Sequence, residues 1–213
     1  MIPVIQSFHT IILADGAFPL HELPLSFLRT AERIIACDGA ALPLLNAGLQ
    51  PDYIVGDLDS LTPSLKKKYA DRLVHIAEQE TNDLTKSVRF CLENGWQEIS
   101  IIGATGRRED HTLGNISLLA GYAETARVQM LTDFGVLVST EQSAVFESFP
   151  GQQVSLFALS PRTILHSENL LYPLNGRTLT SWWQGTLNES SNRTFSIHLS
   201  GGGKIIVFRM YPA

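Results

Sequence analysis

Up to about residue 133, short apolar runs alternate with stretches in which apolar residues recur every three or four positions. The runs 8–14, 33–37, 53–55, 73–76, 98–102 and 127–131 read as strands, and 20–30, 40–46, 63–71, 83–94 and 112–124 as helices. The helix over 83–94 has the clearest pattern. Leu84, Val88, Cys91 and Leu92 fall on one face, Asn82 stands where an N-cap belongs and Gly95 where a C-cap belongs. Strands alternating with helices imply βαβ units and a mainly parallel sheet. Beyond Asp133 the pattern changes to short β-rich runs at 136–138, 144–149, 153–158, 163–166, 194–199 and 204–208, separated by Ser, Gly, Pro and Asn and with no helix between them. The expected architecture is an α/β domain over 1–133 followed by a small all-β sandwich over 134–213.

Composition narrows the class. The chain has 213 residues, 44% hydrophobic and 17% charged, which suits a folded soluble protein with a core of its own. A net charge of −5 disfavours a nucleic-acid surface, and Lys66-Lys67-Lys68, a lone basic run, reads as a solvated helix face. Cys37 and Cys91 are far apart, without metal-ligand spacing, and sit in apolar segments. The first residues lack the charged region and cleavage site of a signal peptide, and no apolar run approaches the ~20 residues of a membrane span. These features lead us to expect a cytoplasmic protein with no membrane and no nucleic-acid partner.

Ligands of an open parallel sheet bind beyond the carboxyl ends of its strands, and here those ends are acidic. The first predicted strand runs into Asp15-Gly16, the second into Asp38-Gly39 and the third into Gly56-Asp57-Leu58-Asp59-Ser60. The fourth is followed by Glu80-Thr81-Asn82-Asp83. Any one of these also reads as a turn or a helix cap. Together they form a set of carboxylates that repel one another unless a cation lies between them, and oxygen ligands select a hard ion such as Mg²⁺. Asp57 and Asp59 are the best metal pair, because alternate residues of an extended strand face the same way.

The segment after the fifth strand supplies the anion-binding half. Gly103-Ala104-Thr105-Gly106-Arg107-Arg108-Glu109-Asp110-His111 makes a tight loop opening a helix near His111, with backbone N–H groups and a helix dipole suited to phosphate. Arg108 is placed to grip phosphate oxygens bidentately, and Asp110 to act as cap, metal ligand or proton acceptor. The loop lacks the spacing of a Walker A motif. Lys86, three residues past Asp83, reads either as the exposed partner of an ion pair or as a phosphate contact.

In order, these segments resemble the thiamine pyrophosphokinase family. The resemblance rests on Cys37-Asp38-Gly39-Ala40-Ala41, Pro51-Asp52-Tyr53-Ile54-Val55-Gly56-Asp57-Leu58-Asp59-Ser60, Asn82-Asp83-Leu84-Thr85-Lys86 and the segment from Gly103 to His111. Toward the C-terminus it extends to Leu170-Leu171-Tyr172-Pro173-Leu174 and Ser190-Ser191-Asn192. The chain departs from the family pattern at Ala40, at Asn82 in place of Thr, at Tyr172 in place of a frequent Trp, and at Glu78 and Glu80 in place of Asp.

The resemblance implies ATP as co-substrate, Mg²⁺ as cofactor and thiamine as acceptor, in a homodimer with active sites at the subunit interface. Asp57, Asp59 and Asp83 would hold the metal. Asp38, Gly39, Lys86, Thr105, Gly106, Arg108 and His111 would grip the nucleotide. Tyr172, Ser191 and Asn192 would face thiamine, with a cationic ring suited to an aromatic wall. Asp110 or Asp83 would accept the hydroxyl proton. Trp182 and Trp183, read as neighbours in a strand, point to opposite sides, so at least one is expected to pack in a core or interface. Rival readings are a pyrophosphokinase for a pterin alcohol, a Mg²⁺ phosphatase and a non-catalytic thiamine or nucleotide sensor. The phosphatase requires a second Asp two residues after the first strand-end Asp, where this chain has Ala17.

Overall fold

The computed structural model describes residues 1–212. The chain forms two compact units, one of residues 8–133 and the other of residues 1–7 with the chain from Phe134 onward. The first seven residues, expected in the α/β part, therefore fold with the second unit.

The first unit comprises β1 (Thr10–Leu13), α1 (Glu22–Thr30), β2 (Arg33–Cys37), α2 (Ala41–Asn46), β3 (Tyr53–Gly56), α3 (Pro63–Lys68), β4 (Leu73–His75), α4 (Asp83–Glu93), β5 (Glu98–Ile102), α5 (Glu109–Tyr122) and β6 (Arg127–Leu131). Its strands lie in the order β6-β5-β1-β2-β3-β4, every neighbouring pair parallel. The central strands are apolar throughout because both faces are covered: all four residues of β1 and Ile34 to Cys37 of β2 are buried. The chain builds outward from β1 to β4, then returns to place β5 on the other side of β1. That reversal is the topological switch point at which such sheets bind ligands.

The helices follow their sequence signals. Asn82 caps α4, its Oδ1 accepting from Thr85 N at 2.9 Å, and the buried face carries Leu84, Val88 and Cys91. Thr62 caps α3, with Pro63 in the first turn. The two cysteines are free and buried. One boundary differs: α5 starts at Glu109 rather than near residue 112, so Asp110 and His111 occupy its first turn. Asp and Glu favour the first turn because the exposed N–H groups and the dipole attract negative charge.

The second unit has two antiparallel sheets, as expected of a sandwich. β7 (Gly135–Thr140), β14 (Ile205–Met210), β9 (Gln153–Ala158) and β12 (Asn188–Glu189) lie side by side, and β8 (Ala144–Glu147), β13 (Thr194–Ser200), β10 (Ile164–Glu168) and β11 (Asn175–Thr178) form the other sheet. Phe146 and Phe195 are fully buried and stack with ring centres 5.0 Å apart. β11 and β12 escape the hydrophobic pattern because β11 is exposed throughout and β12 is two residues long. Trp182 and Trp183 lie in a short 3₁₀ turn, Trp182–Gly185, instead of a strand, and both are exposed; Trp182 packs edge-on to Phe157 at 5.8 Å.

Arg209 of β14 holds the N-terminal residues to this unit. Its guanidinium is fully buried, donates to the carbonyls of Glu147 and Pro3 at 2.9 Å, and reaches those of Ile2 and Val4 at 3.3 and 3.4 Å. Burial pulls its pKa down to about 10. The Arg209→Met substitution removes the shared guanidinium from these carbonyls, of which Ile2 O keeps the Glu147 N–H at 2.8 Å, so we expect a loss of about 2–4 kcal/mol in urea unfolding followed by the second unit's tryptophans. Wild-type stability in this variant would show that the anchor contributes nothing net.

Candidate active site

A cleft of about 310 Å³ opens at the switch point of the first unit. It is lined by Asp15 and Gly16 after β1, Gly39 after β2, Ser60 after β3, Asn82 and Asp83 at the start of α4, and Ala104, Thr105, Arg107, Arg108, His111 and Asn115 from the β5–α5 loop and α5. Two of the loops are zipped together. Gly16 N donates to Gly103 O at 2.6 Å and Ala17 N to Thr105 O at 2.8 Å. A Cβ on Gly16 would lie 2.4 Å from Gly103 O, so only glycine permits this approach.

Beside the cleft lies an acidic cluster. Oxygens of Asp38, Asp57 and Asp59 come within 4.8 Å of one another. Asp38 is fully buried. Its Oδ2 accepts from Ser60 N at 3.2 Å, and its Oδ1 is buried with no hydrogen-bond partner. Burial raises its pKa, and the neighbouring Asp83, Asp59 and Asp57 add to the rise. Asp57 goes the other way: Gln79 Nε2 donates to it at 3.0 Å, lowering its pKa.

The D-x-D pair is not on an extended strand. β3 ends at Gly56, and Leu58 takes a left-handed φ of 66° with its side chain buried. A turn, anchored by Leu58, brings Asp57 and Asp59 together; side-chain alternation does not. The trio also includes Asp38, where the sequence pointed to Asp83. Asp83 lies across Gly56 from Asp38, each so close that a Cβ on Gly56 would sit 2.8 Å from Asp38 Cβ and 3.1 Å from Asp83 Oδ1. That same Oδ1 accepts from Lys86, whose Nζ lies 3.1 Å away. Lys86 is only 2% exposed, so this is no surface ion pair of little consequence.

On the opposite side, the Arg108 fork is already engaged. Nε and Nη2 donate to the two carboxylate oxygens of Asp110 at 3.1 and 2.5 Å, and the pairing holds Asp110 at about 2. Arg107 donates to the backbone and side chain of Asp15 at 3.2 and 2.7 Å. Of the residues singled out in the sequence, Gly39, Asp83, Thr105, Arg108 and His111 line the cleft. Asp38, Asp57, Asp59, Lys86, Gly106 and Asp110 stand behind or beside it. Gln79, Asn115 and the Arg107–Asp15 pair escaped sequence reasoning. Arg107 next to Arg108 was the available signal; nothing local marks Gln79 or Asn115. Glu78 turns back on its own loop, accepting from Glu80 N at 2.7 Å and Thr81 N at 3.0 Å.

In the second unit, Tyr172 and the 190–192 segment are neighbours. Leu170 bridges Ser190, Leu171 N donates to Glu189 O at 2.8 Å, and the Asn188 side chain bonds Tyr172 N and O at 3.1 and 2.8 Å. Tyr172, Ser191 and Asn192 are all exposed.

Two family models match this chain: thiamin pyrophosphokinase, catalytic domain, over residues 25–130, and thiamin pyrophosphokinase, substrate-binding domain, over residues 135–208. It is 38% identical over 89 residues to thiamine pyrophosphokinase of Bacillus subtilis, covering 40% of this chain and 42% of that protein. It is 37% identical over 94 residues to thiamine pyrophosphokinase 1 of Oryza sativa subsp. japonica, covering 39% of this chain and 35% of that protein. The aligned stretches thus span less than half of these curated relatives. The crystal structure of the Bacillus subtilis enzyme superimposes with a TM-score of 0.77 at 26% identity, covering 96% of this chain and 100% of that one. Thiamin pyrophosphokinase from Candida albicans shares the fold at a TM-score of 0.80 and 20% identity, with 96% and 90% covered.

The Asp38→Asn substitution tests the acidic cluster. A buried carboxylate with a raised pKa is a liability to the fold once ionised. Variant and wild type should therefore unfold alike below the usual carboxylate range, and the variant should become the more stable as pH rises through the Asp38 pKa. Mg²⁺ at neutral pH should raise the melting temperature of the wild type and leave the variant unmoved. Equal Mg²⁺ shifts in both proteins would show that Asp38 holds no cation.

Proposed function

The chain belongs to the thiamine pyrophosphokinase family, and on that premise we propose that it transfers the diphosphate of ATP to the hydroxyl of thiamine, releasing AMP. The observation that carries the proposal is the partnerless buried oxygen of Asp38 beside Asp57 and Asp59, next to a switch-point cleft lined with Arg107, Arg108 and His111. Carboxylates so placed suit a hard divalent cation, and Asp38, Asp57 and Asp59 would hold Mg²⁺. When bound, the ion supplies charge neutralisation at the phosphate oxygens.

The chain's own residues supply positioning. The backbone of loop 103–108 and the start of α5 receive phosphate oxygens, with Gly39 and Thr105 flanking them and Lys86 adding charge from behind Asp83. Arg108 grips phosphate after exchanging its Asp110 partner for the nucleotide. The thiamine oxygen attacks the β-phosphorus in line, a new O–P bond forms, and the bond to the AMP oxygen breaks. Asp83 is favoured over Asp110 as acceptor of the hydroxyl proton, since Asp83 lines the cleft and Asp110 stands beside it. Tyr172, Ser191 and Asn192, exposed on adjoining segments, supply an aromatic face and polar groups for thiamine. The proposal includes a cytoplasmic homodimer with active sites at the subunit interface. None of the described helices is long and apolar enough to cross a membrane.

Incubation with ATP, Mg²⁺ and thiamine should yield AMP and thiamine diphosphate in equal amounts by chromatography, and EDTA should abolish both. The Asp57→Asn variant should fold normally and turn over about 100-fold more slowly or worse, the loss of several kcal/mol of charge stabilisation. A folded, Mg²⁺-loaded wild type that forms AMP only with a pterin alcohol would replace thiamine as acceptor. One that binds ATP without consuming it would indicate a sensor.

A further inference from the structure

A one-way chain of hydrogen bonds runs between α5, the start of α4 and the 103–108 loop and joins the two halves of the cleft. Thr85 Oγ1 donates to Asn82 Oδ1 at 2.8 Å, so the Tyr122 hydroxyl, 2.7 Å from Thr85 Oγ1, is left as the donor to Thr85. Burial pushes the Tyr122 pKa up to about 12, which keeps that donor proton in place across the neutral range. Asn82 Nδ2 then donates to Asn115 Oδ1 at 3.2 Å, and Asn115 Nδ2 donates to Ala104 O at 2.8 Å. Each amide has its carbonyl and its NH₂ assigned by its partners, so neither can flip without breaking two bonds.

The two ends matter because of what they carry. Asn82 caps α4 through Thr85 N, and the first turns of α4 bear Asp83 and Lys86. Ala104 belongs to the loop that is zipped to Gly16 and Ala17 after β1 and leads to Arg107 and Arg108. Asn115 lines the cleft one turn beyond His111, and its side chain bonds both the α4 cap and the 103–108 loop.

We infer that Asn115 and Asn82 are positioning residues, an amide tether that fixes the distance between the Asp83–Lys86 pair and the phosphate-receiving loop 103–108. The inference rests on the diphosphate-transfer reading for its effect on turnover, while the tether itself is measurable without any reaction. The contribution of the two residues is registration of two halves of a site, where misplacement by about 1 Å costs on the order of 100-fold in rate.

Two substitutions separate tethering from folding. The Asn82→Thr variant keeps an oxygen to cap α4 and removes the NH₂ that reaches Asn115. The Asn115→Asp variant keeps the acceptor for Asn82 and sets a carboxylate oxygen against Ala104 O. We expect both to unfold within a few degrees of wild type, to lose about 10- to 100-fold in kcat, and to change KM for MgATP much less. The double variant should be no slower than Asn115→Asp alone, because each substitution breaks the same tether at a different bond. Backbone hydrogen exchange over 104–108 should be faster in both single variants, with no substrate present. Additive losses, a kcat within two-fold of wild type, or unchanged exchange over 104–108 would overturn the tether. A wild type that forms no product would sink the diphosphate-transfer reading, and the exchange data would still decide the tether.

Discussion

Carboxylates that share one edge of a sheet repel one another, and the first unit is arranged around that repulsion. Parallel strands bring every strand's carboxyl end to the same side, so Asp15, Asp38 and the Asp57–Asp59 turn arrive there together. Each acid is then treated differently. Asp83 has Lys86, Asp15 has Arg107, Asp57 has Gln79, and Asp38 keeps one oxygen buried with nothing to bond. A low-dielectric setting makes the unpaired oxygen costly as a bare anion and valuable as a ligand.

The cationic side of the cleft shows the complementary arrangement. Arg107 and Arg108 both line the cleft, and both are paired with carboxylates. Exchange of a carboxylate for a phosphate preserves the planar two-point geometry that a guanidinium prefers. The scaffold behind these groups is rigid: loops after β1 and β5 are zipped backbone to backbone, and α4 and α5 are joined by side-chain amides. The diphosphate transfer proposed for this chain demands positioning more than covalent chemistry, which such a scaffold suits.

The second unit is stabilised by other means. Its core stacks Phe146 on Phe195, and the buried Arg209 collects carbonyls from residues 2–4 and 147. A guanidinium is the one side chain with enough fixed donors for that task. The exposed Tyr172 and the 190–192 segment adjoin through main-chain bonds, and within that segment the buried Ser190 hydroxyl donates to Asn192 O at 3.0 Å while Asn192 Oδ1 accepts from Arg193 N at 2.8 Å.

Much of this was legible in the sequence. The α/β alternation, the cap and apolar face of α4, the change to short strands after Asp133 and the acidic strand ends are all local or periodic signals, set by backbone geometry and burial. The tertiary structure decided what no local window contains. Leu58 bends the D-x-D segment into a turn because its side chain finds a buried site. Asp38 joins Asp57 and Asp59 because β2 and β3 are neighbours. Lys86 is buried because α4 packs over the sheet with its first turn inward. Gln79, Asn115 and Arg209 act through partners 22, 33 and 62 or more residues away. Hydrogen bonds at such separations depend on register between elements, and a single sequence fixes the elements far more firmly than it fixes their register.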